Sequence, residues 1–151
     1  PPAPPIDVVF DGTMVDAVHG ILGGAFEKDG YFVKLPGAQN TDCPAPGSGV
    51  GPCGGYIQFN VECKAATPLS FVAEIIAPDD KSDSFSLDVD GNIKTWHTGT
   101  SSEWSLSKKS PSVQAEPGVR TIKFRGREDG IRVRSFRISD GAGACKFVVP
   151  R

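Results

Sequence analysis

At 151 residues and 15.9 kDa the chain has the size of one domain with its own core. Its 18 glycines and 13 prolines beside a single methionine suit short strands and many turns and argue against a helical bundle. A formal net charge of -2 gives, as an average, no reason to expect nucleic acid or an anionic membrane as partner.

The chain opens on Pro1-Pro2-Ala3-Pro4-Pro5. Residues 1–5 read as a stiff linker remnant from a larger multidomain protein, with an ordinary ragged terminus as the competing reading, and one domain spans 6–151. No stretch reaches the roughly 18 apolar residues of a membrane span. Asp-Gly pairs at 11–12, 29–30, 90–91, 129–130 and 140–141 divide the sequence into short segments that read as strands. Ile6 to Phe10 opens the series. Gly12 to Gly24, with four glycines, reads as a loop with room for a short helical turn. Tyr31 to Leu35 follows, and then Gly55 to Glu62 alternates so that Ile57, Phe59 and Val61 share the core-facing side. Ser70 to Ile76 is stopped by Ala77-Pro78-Asp79-Asp80. Ser84 to Asp90 places Phe85, Leu87 and Val89 inside, and Asp90-Gly91-Asn92 turns the chain into Ile93 to Trp96.

Trp104 to Leu106 and Ser112 to Ala115 lead through Glu116-Pro117-Gly118 into Arg120 to Arg125. This segment is expected to form a hairpin with Ile131 to Ile138. There Ile131 and Val133 keep one phase and Phe136 and Ile138 the other, which places a bulge near Arg134-Ser135. Cys145 to Val149 would be a last edge strand. Eight or nine such strands predict an all-β, antiparallel β-sandwich of the jelly-roll kind, with a barrel as the other closure.

Four cysteines lack the paired close spacing of a zinc site. Cys43 and Cys53 bracket a Gly/Pro-rich segment that a local bridge would staple, leaving Cys63 to pair with Cys145. Three connectivities are open to four cysteines. Two bridges imply an oxidising, extracellular setting. Four free thiols in a cytosolic protein are the competing reading.

Catalytic signals are sparse. His19 and His97 are the two imidazoles, no GxSxG sequence accompanies them, and the chain reads as a non-enzyme. Paired carboxylates for glycoside hydrolysis meet only in space. Asp79, Asp80 and Asp83 read as a solvated acidic loop. Binding chemistry is better represented. Trp96, Trp104 and Tyr31 accompany a Thr/Ser/Gly-rich loop, with His97 beside Trp96 as a candidate hydrogen bonder, and an aromatic ring among polar groups suits a sugar. A tryptophan packed in the core is the competing reading for at least one of the pair. Residues 119–138 carry seven basic side chains against Glu128 and Asp129, a local +5 that leaves -7 in the rest of the chain. Lys123 with Arg125, and Arg132 with Arg134, leave their strands on one face each, which predicts a basic stripe suited to an anionic polymer. Arginines paired with the chain's own carboxylates would explain the same pattern. Asp7, Asp11 and Asp140 could supply oxygens for calcium where the chain ends meet, whereas Asp88-Val89-Asp90-Gly91-Asn92 reads as a hairpin turn.

The order of Asp83-Ser84-Phe85-Ser86-Leu87-Asp88-Val89-Asp90-Gly91, Trp96, Trp104, Glu116-Pro117-Gly118-Val119-Arg120-Thr121-Ile122 and Gly126-Arg127-Glu128-Asp129-Gly130-Ile131 resembles carbohydrate-binding modules of the family 6 and family 35 type. The resemblance covers roughly residues 25 to 140. It implies a non-catalytic glycan-binding β-sandwich with a structural calcium. The sugar site would lie at the loops of one end, with Trp96 or Trp104 as the aromatic loop residue and Tyr31 as a facing ring. Where those modules carry Asn and then Asp, this sequence has Arg132 and Arg134, which favours a uronate or sulfated glycan. A protein-binding adhesion or receptor domain could occupy the same fold.

Overall fold

The structure, a computed structural model, describes residues 12–36, 55–128 and 130–148. In chain order its strands begin with β1 (Met14–Asp16), β2 (Ile21–Gly23), β3 (Glu27–Asp29), β4 (Phe32–Lys34), β5 (Tyr56–Cys63), β6 (Thr67–Ala77) and β7 (Ser84–Val89). They continue with β8 (Asn92–His97), β9 (Ser101–Leu106), β10 (Val113–Ala115), β11 (Gly118–Gly126), β12 (Arg132–Asp140) and β13 (Cys145–Val148). The strand expected over Ile6 to Phe10 lies outside the described residues.

These strands form the expected two-sheet antiparallel sandwich. The first sheet runs β10-β6-β12-β4-β3, with β1 also on β12 and β9 also on β6. The second runs β13-β5-β11-β7-β8, with β2 also on β5. The alternation read from the sequence fills the space between them. Ile57, Phe59, Val61, Phe85, Leu87 and Val89 are all buried, and they meet Phe71, Val133 and Phe136 from the first sheet. Phe124 of β11 and Phe136 of β12 stack across the interior, ring centroids 3.7 Å apart and planes 3° from parallel.

That stack also corrects the expected hairpin. β11 and β12 do not pair. Both edges of β11 are taken, by β5 and by β7, and β12 is held between β6 on one side and β1 and β4 on the other. The segment between them crosses from one sheet to the other. Since both strands turn their phenylalanines inward from opposite sheets, their basic side chains point away from each other and no single stripe forms. The bulge near Arg134-Ser135 is present as a register shift between Val133 and Ser135.

At the β7–β8 turn Asp90 (φ 51°) and Gly91 (φ 89°) both take the left-handed conformation that a two-residue type I′ hairpin needs. Residues 12–24, expected as a loop, instead contribute β1, a single 3-10 turn at Ala17–His19 and β2. Their glycines serve close packing. A Cβ on Gly23 would lie 2.2 Å from the Tyr56 ring, so β2 can pair with β5 only without one. At the chain's described start, Ile138 N donates to Thr13 O and Phe147 N to Gly12 O, which ties this segment to both sheets. Cys63 and Cys145 form a disulfide between register partners of β5 and edge strand β13. Cys43 and Cys53 lie outside the described residues.

Candidate functional site

Strand alternation decides which side chains reach the outer face of the first sheet. Buried Val33 in β4 leaves Phe32 and Lys34 facing out, and buried Val133 in β12 does the same for Arg132 and Arg134. The register sets Arg132 between Lys34 and Ile76, and Glu74 between Ser135 and Leu106.

Onto this face β9 brings Trp104. Its ring lies 5.4 Å from Phe32 and 6.2 Å from Tyr31, centroid to centroid, and Tyr31 and Phe32 are themselves 5.5 Å apart. All three rings are partly exposed. Two guanidinium groups flank them, Arg134 with Cζ 5.1 Å from the Tyr31 centroid and Arg132 with Cζ 5.9 Å from that of Phe32. Arg134 also faces Glu74, Nε to Oε1 at 3.6 Å. Arg132 is exposed and has no carboxylate within ion-pair distance among the described residues. Trp104 and Tyr31 do not form a facing pair. Their planes meet at 51°, and 6.2 Å is less than the roughly 7–8 Å that two ring contacts of about 3.5–4.0 Å on either side of a pyranose would need. Tyr31 and Phe32 therefore brace Trp104.

Beside the cluster lies a polar row in which Asp16 and Ser135 are buried and Glu74 is partly exposed. Asp16 of β1 pairs with Ser135 of β12, which pairs with Glu74 of β6. Burial raises the Asp16 pKa above its ordinary value, with His19 and Arg134 pulling it down and Glu74 pushing it up. The Ser135 hydroxyl and both His19 ring nitrogens are buried without a hydrogen-bond partner.

Of the residues singled out by sequence, Tyr31, Trp104, Arg132 and Arg134 come together here. Trp96 does not, and its assignment as a surface platform is corrected. It pairs with Phe85 on the inward side of β8 and is fully buried. Its Nε1 donates to Lys108 O at 3.0 Å, so both the apolar ring and its polar atom are committed to the core. His97 is exposed on β8 in the second sheet, away from the cluster. Phe32 and Glu74 escaped the sequence reading. Glu74 had a signal, being the single acid inside the apolar run Phe71 to Ile76.

The other basic residues are largely paired, as the competing reading held. Arg125 Nε donates to Asp88 at 2.7 Å, Arg120 faces Asp90 at 3.3 Å, and Arg127 reaches Ser84 and Glu128. All six residues of β7 are buried, and of its outward side chains Ser84 is met by Arg127 and Asp88 by Arg125. Asp140, expected at a calcium site, accepts from Lys109 Nζ at 2.7 Å and from Ser70 Oγ at 3.1 Å. Both bonds hold its pKa below the ordinary value. A carboxylate already paired with an ammonium fits poorly to calcium, which collects roughly six to eight oxygens. Asp7 and Asp11 lie outside the described residues, and among the described residues no three His, Cys, Asp or Glu side chains are grouped to hold a metal ion. Among the described residues no helix is long and apolar enough to cross a membrane.

The sequence matches no family model and no curated protein. The fold does match solved structures. A GH26-CBM35 β-(1,4)-mannanase from Podospora anserina superposes with a TM-score of 0.62 at 13% identity, over 94% of this chain and 29% of that one. A family 6 carbohydrate-binding module from Clostridium cellulolyticum, in complex with xylose, gives 0.58 at 11% identity over 84% of this chain and 96% of the module. A cycloisomaltooligosaccharide glucanotransferase from Paenibacillus sp. gives 0.56 at 20% identity, over 85% of this chain but only 18% of the enzyme. The chain thus spans a minor part of the two enzymes and nearly the whole of the free module. Its fold is a carbohydrate-binding-module-like β-sandwich.

Proposed function

We propose that this chain is an extracellular, non-catalytic module that binds an acidic polysaccharide, uronate-bearing or sulfated, through the outer face of its first sheet. The observation that carries the reading is the Trp104 ring braced by Phe32 and Tyr31, with Arg132 over the first of these rings and Arg134 over the second. An indole face takes up the apolar C–H side of a sugar ring. The exposed Arg132 guanidinium offers a carboxylate or sulfate two parallel N–H donors, whereas Arg134 is partly neutralised by Glu74. The fold likeness and the Cys63–Cys145 disulfide support an extracellular module. The geometry favours the side of a chain lying across the sheet over a chain end held in terminal loops, because Trp104 lies in β9 and Arg132 in β12.

Calorimetric titration with a polyuronate, a sulfated polysaccharide and an uncharged xylan tests this. Trp104→Ala should weaken binding of any ligand about tenfold or more, and Arg132→Ala should weaken only the charged ones. Absence of binding to all three would overturn the reading, as would affinity that survives Trp104→Ala unchanged. Retention of a protein partner with no glycan bound would favour an adhesion domain instead.

A further inference from the structure

We infer that the module carries a second anion seat, on the outer face of its second sheet, for one carboxylate or sulfate group of a glycan. The observation behind it is separate from the aromatic cluster. In β11 the inward Ile122 and Phe124 send Thr121, Lys123 and Arg125 outward. The register places Lys123 between Asp88 and Gln58, and Arg125 between Ser86 and Tyr56. The Asp90-Gly91 hairpin tip closes one side. Asp88, Asp90, Gly91, Thr121, Lys123 and Arg125 then line a shallow cavity of about 270 Å³.

The acceptors in this cavity are already used. Asp88 accepts from Gly91 N through Oδ1 and from Arg125 Nε through Oδ2, both at 2.7 Å. Asp90 accepts from Thr121 N at 3.0 Å and faces Arg120 Nη1 at 3.3 Å. The donors are not. The two terminal nitrogens of Arg125, the Lys123 ammonium and the Thr121 hydroxyl have no acceptor among the described residues. Among the lining residues Lys123 and Arg125 stand against Asp88 and Asp90, so the cavity is neutral overall and its open hydrogen-bonding capacity is on the donor side. With its own anions satisfied by fixed hydrogen bonds, the pocket presents an ammonium beside a guanidinium edge, and this pair suits an incoming anion of two or three oxygens. The Tyr56 ring, packed against Gly23, has Lys123 Nζ 4.8 Å from its centroid and so holds the ammonium beside the seat. The volume suits a single sugar residue more than a drug-sized ligand, whose pockets begin near 300 Å³. Because the outer faces of the two sheets point in opposite directions, a module using both would bridge two polymer strands.

Amide-resolved NMR titration of the whole chain tests this with three probes: a short polyuronate, a sulfated oligosaccharide and an uncharged xylo-oligosaccharide. Shifts at the Gly91 and Thr121 amides are expected with an acidic probe and not with the neutral one, and the acidic probe that acts identifies the anion. Lys123→Ala, with Thr121→Val as a milder second variant, should weaken this response about tenfold while leaving shifts around Trp104 intact. Trp104→Ala should do the reverse. The seat is refuted if acidic probes leave Gly91 and Thr121 unmoved, if the neutral probe moves them equally, or if Lys123→Ala changes the affinity by less than about twofold. Loss of the Trp104 response alone would count against the proposed function and leave this seat standing.

Discussion

Truncating Trp96 to alanine empties a volume bounded by the rings of Phe85 and Phe124, 5.6 and 6.0 Å away, and removes one of the two donors to the Lys108 carbonyl, the Ser107 hydroxyl remaining. The expected loss is about 3–5 kcal/mol in a denaturant titration. Trp104→Ala, on a partly exposed surface ring, should stay within about 1 kcal/mol of the parent while weakening glycan binding at the first sheet about tenfold or more. The two tryptophans look alike in sequence because each borders the same polar loop. What separates them is the register of β8, an edge strand whose exposed Lys94 breaks the apolar alternation that would have marked Trp96 as inward. Asp16 supplies a second contrast. Its pKa is raised by burial, so the folded state binds more protons than the unfolded state just above the ordinary value of 3.8. Stability should therefore fall as pH rises through that window, and Asp16→Asn should remove the slope and raise the melting temperature at neutral pH. Asp140 works in the opposite sense. Its lowered pKa gives stability that is lost as pH falls below 3.8, and Asp140→Asn should flatten that acid limb.

Strands were legible in the sequence where one face is apolar and the other polar, as in β5, whose Ile57, Phe59 and Val61 are all buried. Their partners were not. A hairpin and a crossing between sheets both need a short turn and inward apolar residues, so Gly126 to Gly130 read the same either way. The outcome depends on β5, which pairs with β11 over eight residues and comes from a distant part of the chain. The β7–β8 turn is local and was readable from Asp90-Gly91. Gly91→Ala should cost about 1 kcal/mol, all of it conformational, since a Cβ there meets nothing within 4 Å. Edge strand β13 depends on a longer-range device. Its disulfide closes a span of 82 residues, for which chain entropy lost from the unfolded state amounts to about 4.5 kcal/mol. Replacing both Cys63 and Cys145 with serine should lower stability by roughly that amount, with the second sheet's β5–β13 amides losing hydrogen-exchange protection first.

Across the whole molecule, the +5 segment at 119–138 is divided by the sandwich. Lys123 and Arg125 face outward from the second sheet, Arg132 and Arg134 from the first, and most of the guanidinium charge is met by Asp88, Asp90, Glu74 and Glu128. The sequence revealed the excess charge but could not show that it would separate, because charge runs carry no information on which sheet a strand joins. Packed sheets lie about 10 Å apart, and the Debye length at 0.1 M salt is also about 10 Å. The outer faces are therefore largely screened from each other, and on the first of them an acidic polymer meets Arg132, which has no carboxylate partner among the described residues, despite the net charge of -2. This arrangement makes salt a discriminating variable. Raising sodium chloride from about 0.1 to about 1 M, which shortens the Debye length to about 3 Å, should weaken binding of a polyuronate several-fold. Stacking on Trp104 should persist. In Arg132→Ala the salt dependence of binding at the first sheet should largely vanish, leaving a weaker and salt-tolerant affinity. If the variant keeps the parent's salt response at that face, the charge reading resides elsewhere and Arg132 is not its source.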